Sequence, residues 1–159
     1  MDNVQSARWE KLAWNAMWNP LSTLTGTTSK YWFSSSDPER KSLPRRTMTE
    51  VLDVATALGV PVDYGVIERM EGIASRVDMG SSMAEDAARG REMEVEAIVG
   101  AVVKRAREVG VGVPGLEVLW IMLVARNEVV VKANEEGHRK MGLENGEGTG
   151  KGKETENGV

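Results

Sequence analysis

At 159 residues with 41% hydrophobic side chains, the chain is sized for one domain with a packed core rather than for two. Its 20 basic residues against 24 acidic ones leave a net charge of −4, which argues against a general polyanion-binding surface and so against nucleic acid as a partner. The absence of cysteine excludes disulfides, thiolate nucleophiles and cysteine-ligated metal, and the single histidine, His138, leaves nothing for a histidine metal cluster.

The opening residues, Met1-Asp2-Asn3-Val4-Gln5, lack the basic and apolar blocks of a signal peptide. The longest apolar run, Val118 to Ala125, falls far short of the ~20 residues of a membrane span. The expectation is a soluble, cytoplasmic protein with no membrane partner.

From Arg8 to Trp18 no turn residue interrupts the chain. At about 100° per residue, Trp9, Leu12, Ala13, Ala16 and Met17 share one side of a helix. That side is enough to bury it. Lys11, Asn15 and Asn19 fall along the opposite edge, with Trp14 and Trp18 beside them. A solvated polar face is the ordinary reading of such a stripe. The other reading is a ligand site made of one ammonium and two carboxamides framed by indoles. Asn19 precedes Pro20, which disfavours helical backbone at that position and makes its alignment the least secure.

Gly26 to Leu43 is rich in Ser and Thr and reads as a loop. Tyr31, Trp32 and Phe33 within it are expected to pack onto a neighbouring surface rather than to bind a ligand. Asp37-Pro38 suits the start of a short helix, Asp capping and Pro at its first position. Met48, Val51, Leu52, Ala55 and Leu58 then follow helical spacing up to Gly59. Val66, Ile67, Met70, Ile73, Ala74 and Val77 repeat the pattern in a segment ending near Gly80.

Ser82 with Glu85 matches a capping box. Asp86, Arg89, Arg91, Glu92, Glu94 and Glu96 crowd the following stretch and read most simply as a charged face laced with local ion pairs. Gly90 within it marks a break. In an unbroken helix Ser82 and Glu94 would stand roughly 18 Å apart along the axis, so a site containing both requires that break.

Val95, Ile98, Val99, Val102, Val103, Ala106 and Val109 form a long helical stripe closed by Gly110. Gly110 to Gly115 satisfies G-x-G-x-x-G, but an amphipathic helix precedes it where the dinucleotide fingerprint needs a buried strand. It reads as an interhelical turn. Leu116 to Ala133 follows Pro114 and is at first apolar on almost every side, the pattern of a central buried helix. From Met141 to Val159 glycines alternate with Glu and Lys, and nothing there repays the entropy of ordering. Gly150-Lys151 in that stretch fails as a phosphate loop, since Gly152 follows it and the required earlier glycine is missing. Period-2 alternation is hard to find, so the fold class is all-α with about five or six helices. Residues 1–140 form the helical domain, and 141–159 a disordered Gly/Glu/Lys-rich tail.

Three blocks of this sequence, in order, carry a family resemblance. Trp9 to Gly26 contains K-L-x-x-N-x-x-x-N-P-L between Lys11 and Leu21. A second block has Ser81-Ser82-Met83, Asp86, Gly90-Arg91, Glu94 and Gly100, and a third runs from Ala106 to Val111 with Pro114 following. Together they resemble the C-terminal domain of the ketopantoate reductases (2-dehydropantoate 2-reductases), oxidoreductases of pantothenate biosynthesis. The resemblance implies a helical substrate and dimerisation domain like that of the 6-phosphogluconate dehydrogenase superfamily. It implies NADPH as the cofactor, bound mainly by a Rossmann domain that has no counterpart in this sequence, and a small 2-oxo acid as substrate. By position, Lys11 corresponds to the catalytic lysine that protonates the carbonyl, and Glu94 to the glutamate that orients it. Asn15, Asn19 and Ser82 correspond to substrate-binding residues. The sequence departs from the family pattern at the aromatic run Tyr31 to Phe33 and in the acidic neighbours Glu92 and Glu96.

Two functions compete. In one, the chain is the substrate-binding and catalytic half of such a reductase, with the nucleotide domain supplied by a Rossmann-domain chain or a full-length homologue, and forms a homodimer. In the other it is a non-catalytic dimerisation module or remnant that pairs with a full-length homologue.

Overall fold

The computed structural model describes residues 3–146, with side chains placed for residues 4–140. Among them the chain forms helices and no strand: α1 (Asn3–Thr25), α2 (Ser29–Phe33), α3 (Pro38–Ala57), α4 (Gly65–Ala74), α5 (Ser82–Ala88), a π turn (Glu96–Gly100) running into α6 (Ala101–Val109), and α7 (Pro114–Gly146). The expected all-α class holds. No helix among the described residues is long and apolar enough to cross a membrane.

Helix α1 is the hub. Its apolar side is buried through Ala13, Ala16 and Met17, and it packs against α3, α7 and α5. The core it organises takes Met48, Val51 and Leu52 from α3, Val99 and Val103 from the π turn and α6, and Leu116 and Leu123 from α7.

Several boundaries differ from the sequence reading, each for a tertiary reason. Helix α1 continues through Pro20 to Thr25. Proline removes one rung of the ladder there, but Leu21 and Ser22 are buried and the Trp18 indole N–H donates to the Gly80 carbonyl at 3.0 Å. Burial on both sides of the proline outweighs the local preference, and Asn19 stays in phase with Lys11 and Asn15.

Tyr31, Trp32 and Phe33 lie in the short helix α2 rather than a loop; Trp32 and Phe33 anchor as expected, while Tyr31 is exposed. Phe33 is buried against Trp14, ring centroids 5.9 Å apart, and the Trp32 indole donates to the Thr27 hydroxyl at 2.8 Å. Asp37 caps the next helix by accepting the Glu39 N–H at 3.0 Å. That helix, α3, is not short: it runs through the buried Pro44 and absorbs the Met48 to Leu58 pattern as far as Ala57.

Gly90 breaks the chain as expected. It adopts φ 69° after α5, and residues 91–94 follow without helical structure. Arg89 pairs with Glu85 at 3.7 Å and Arg91 with Asp86, the local ion pairs that the charge crowding suggests. Gly110 ends α6 in the left-handed region at φ 72°.

Helix α7 is not buried all round. Leu116, Leu119, Leu123 and Val130 face the core, while Val118 (57% exposed), Ile121 (63%), Met122 (50%) and Val129 (57%) face out. Its backbone is helical as far as Gly146, past the start of the expected tail. The rest of that tail, 147–159, lies outside the described residues.

Candidate functional site

Three of the candidate residues lie on α1, where burial rises along the stripe. Lys11 is exposed, Asn15 half-buried, and Asn19 only 6% exposed. Among the described residues none of these side chains makes a hydrogen bond or ion pair. Even so, neither polar atom of the Asn19 carboxamide is sealed from solvent. Trp14 and Trp18 stack beside the stripe with centroids 5.9 Å apart, but Trp18 is buried under the Gly80–Ser81 segment and does not frame an open site.

Ser82 is the first residue of α5 and is exposed. It is not the cap. Ser81 is the N-cap, with its hydroxyl accepting the Ala84 N–H at 3.1 Å. Spacing alone favoured Ser82 because Glu85 stands where a capping-box partner belongs, and an error of one residue is the ordinary uncertainty of a helix start. With Ser81 capping, the Ser82 hydroxyl is released from that duty.

Glu94 is exposed at the end of the non-helical segment created by the Gly90 break. It lines a hollow of about 440 Å³ with Glu92, Met93, Glu96, Asn127 and Glu128. Asn127 of α7 holds this segment by accepting the Met93 N–H at 2.8 Å. The hollow's carboxylates do not converge on a metal: no group of three candidate ligands forms among the described residues.

Neighbouring Glu96 differs from Glu94. Its two oxygens accept from Trp120 Nε1 at 2.8 Å and Lys104 Nζ at 2.7 Å. The lysine hydrogen bond first, then that of the indole, holds its carboxyl below the ordinary glutamate range. Gly100 makes room for this arrangement, since a Cβ there would meet Glu96 Oε2 at 2.6 Å and Trp120 Nε1 at 3.0 Å. Glu96 is committed to holding the π turn against α7, whereas the Glu94 side chain makes no hydrogen bond or ion pair among the described residues.

Lys11 and Glu94 are not ion-paired. They line separate hollows, that of Lys11 being shared with Val4, Ala7 and Arg8. What unites Lys11, Asn15, Asn19, Ser82 and Glu94 is chemical: none of these side chains has a hydrogen-bonding role in the described fold. Sequence reasoning missed the groups behind them, Ser22, Ser81 and Asn127. Ser81 was within reach of the sequence as the neighbour of Ser82, but a contact across some 60 residues leaves no mark on local spacing.

The G-x-G-x-x-G run is confirmed as a turn between helices. The N-terminus of α7 is filled by Glu50 of α3, whose carboxylate accepts the N–H groups of Gly115 at 2.9 Å and Leu116 at 2.8 Å. That is where a pyrophosphate would have to sit in a dinucleotide motif.

A family model described as "Ketopantoate reductase PanE/ApbA C terminal" matches residues 3–127. The chain belongs to this family. The 2-dehydropantoate 2-reductase of Mesorhizobium japonicum is 34% identical over 122 residues, covering 77% of this chain and 37% of the relative. The crystal structure of 2-dehydropantoate 2-reductase from Methylococcus capsulatus matches with a TM-score of 0.73 at 30% identity, over 80% of this chain and 44% of that one. A dimeric ketopantoate reductase from Staphylococcus aureus matches with a TM-score of 0.71 at 29% identity, over 82% of this chain and 45% of that one. The chain therefore spans less than half the length of these relatives, and what it resembles is their C-terminal helical part.

Proposed function

We propose that this helical domain, residues 1–140, holds the substrate and supplies the proton in an NADPH-dependent reduction of a small 2-oxo acid, ketopantoate or a close analogue, to its 2-hydroxy acid. The supporting observation is the shared freedom of Lys11, Asn15, Asn19, Ser82 and Glu94 in a chain of the ketopantoate reductase family. An unpaired ammonium at Lys11 suits a carbonyl oxygen gaining negative charge, which it neutralises and then protonates. The carboxamides of Asn15 and Asn19 offer both donors and acceptors to the carboxylate and hydroxyl of such an acid, and the Ser82 hydroxyl adds one more of each. The Glu94 carboxylate is the free acceptor that would orient the ammonium and a substrate hydroxyl.

The described residues offer no Rossmann-type fold for the nucleotide. They form no strand, and the helix N-terminus in their glycine-rich run is occupied by Glu50. The cofactor is bound mainly by a Rossmann-type domain, elsewhere in a longer polypeptide or in a partner chain, and the setting is cytoplasmic.

Fusing a nucleotide domain of a related reductase ahead of Asn3 and following NADPH consumption with ketopantoate tests the reading. The fusion should turn over, and Lys11→Ala should lower its rate by about 10²–10⁴-fold. Full activity of the Lys11→Ala fusion would refute the acid role.

One observation supports the competing function as a dimerisation module. The outward stripe of Val118, Ile121, Met122 and Val129 on α7 adjoins a hollow of about 330 Å³ lined by Leu21, Leu24, Trp32, Leu43 and Leu119. Ridge and hollow side by side form a self-complementary surface for a second copy, or for the same domain of a longer homologue. The dimeric relative from Staphylococcus aureus supports this pairing. It is compatible with catalysis, and becomes the whole function if the fusion is inert.

A further inference from the structure

The hydroxyls of Ser22 and Ser81 meet at 2.6 Å in the seam between α1 and the start of α5. The two residues are 3% and 7% exposed. Their other partners fix the direction of the bond. Ser22 Oγ donates to the Trp18 carbonyl at 2.9 Å, with the Asn19 carbonyl also within reach at 3.2 Å. A hydroxyl has one proton. With that of Ser22 committed along α1, Ser81 is the donor across the seam while it accepts the Ala84 N–H as cap. One residue earlier, the Gly80 carbonyl accepts the Trp18 indole N–H at 3.0 Å. The segment entering α5 is thus tied to α1 by two consecutive hydrogen bonds.

Capping needs only Ser81; the hydroxyl of Ser22 adds nothing to the cap itself. What it adds is a fixed spacing between two neighbours. Asn19 lies one helical turn before Ser22, and Ser82 directly follows Ser81.

We propose that the Ser22–Ser81 hydroxyl pair is a positioning element that fixes the Asn19 carboxamide and the Ser82 hydroxyl relative to one another for a shared 2-oxo acid ligand. This rests on the substrate-binding reading of those two residues given above. Neither serine of the pair touches the ligand. Without the Ser22 hydroxyl both groups remain chemically intact, but only the Trp18–Gly80 hydrogen bond is left to tie the two segments, and their separation is held less tightly.

The test titrates ketopantoate into the full chain by NMR, for the wild type, Asn19→Ala, Ser82→Ala and their double variant, and for the same set carrying Ser22→Ala. In the wild-type background the Asn19 and Ser82 losses should be non-additive by about tenfold, and Ser22→Ala should both weaken binding by about tenfold and make them additive. Ser22→Thr, which keeps the hydroxyl, should restore the coupling. A merely structural role for Ser22 would weaken binding without changing additivity.

Additive losses in the wild-type background overturn the proposal, and that arm leaves the seam itself untouched. Wild-type binding by Ser22→Ala overturns it as well, while leaving the substrate reading intact. No binding by the wild-type chain sinks the substrate reading, and this inference with it.

Discussion

Asn127 of α7 accepts the backbone N–H of Met93 at 2.8 Å across 34 residues of sequence. This is a side-chain anchor for the otherwise non-helical run 91–94, and it decides where the neighbouring Glu94 is presented. Backbone continuity helps from the other side, as the Glu94 carbonyl accepts the Ile98 N–H at 3.1 Å. Without the amide oxygen, the partly buried Met93 N–H has no partner.

Asn127→Ala should therefore destabilise the domain by about 1–2 kcal/mol, the cost of leaving such a donor unmet. Amide exchange at Met93 should accelerate more than exchange at Val103 in the core. Asn127→Asp, which keeps the acceptor, should retain the slow Met93 exchange. Equal acceleration in both variants would show that the anchor does not depend on this oxygen.

Glu50→Ala should unfasten the start of α7. The carboxylate caps two of the helix's orphan N–H groups with charge-assisted bonds at the positive end of the dipole. A loss of about 1–3 kcal/mol in urea unfolding is expected, with Gln in place of Glu losing less because one oxygen remains. Gly115→Ala should also be unfavourable, since a Cβ there would meet Glu50 Oε1 at 3.0 Å and Oε2 at 3.2 Å.

The sequence disclosed helices better than their ends, for a physical reason. Apolar periodicity records which face is buried, so the core sides of α1, α3, α6 and α7 were legible. Whether a helix survives a proline depends on what is packed around it. Pro20 and Pro44 sit inside helices because both are buried at tertiary contacts, and no local pattern encodes that. The Gly90 break and the left-handed end at Gly110 were legible because glycine expresses a backbone need directly. The candidate site divides the same way. Lys11, Asn15 and Asn19 were visible as a stripe. Ser22, Ser81 and Asn127 were not, because each acts through a residue far away in sequence. The outward face of α7 was misjudged, since a strongly apolar helix reads the same whether its second side meets this domain or another surface.

Acid should act on the π turn through Glu96. Its carboxyl is held below the ordinary glutamate range by Lys104 first and Trp120 second, so folding favours the charged form. The sign follows: this contribution is present above the usual glutamate range and is lost as pH falls through the lowered value of the folded state. Its size is small, because the Lys104 and Glu96 side chains are 60% and 55% exposed and water and salt screen the pair. Wild type should thus be more stable than Glu96→Gln at neutral pH, with the gap closing in acid and narrowing in high salt. Thermal unfolding of both proteins across that range reads it, and a gap that widens in acid would contradict the assignment.

Ile121→Glu should separate copies of this chain without unfolding them. Ile121 is 63% exposed, so the substitution disturbs no core contact, but it places a charge in the middle of the ridge that α7 presents. A stable dimer hides about 800 Å² on each partner. The proposed dimer surface therefore takes in the adjoining hollow, which Met122 also lines, together with the ridge. Sedimentation of the full chain should give the mass of a dimer for wild type and of a monomer for Ile121→Glu, with unchanged helical circular dichroism. Glu135→Lys, a charge change on an exposed part of α7 beyond the ridge, should leave the dimer intact. A wild-type monomer at the highest soluble concentration would remove self-association. The ridge would then be left to the matching domain of a longer homologue, and co-sedimentation with a full-length relative would decide whether that pairing exists.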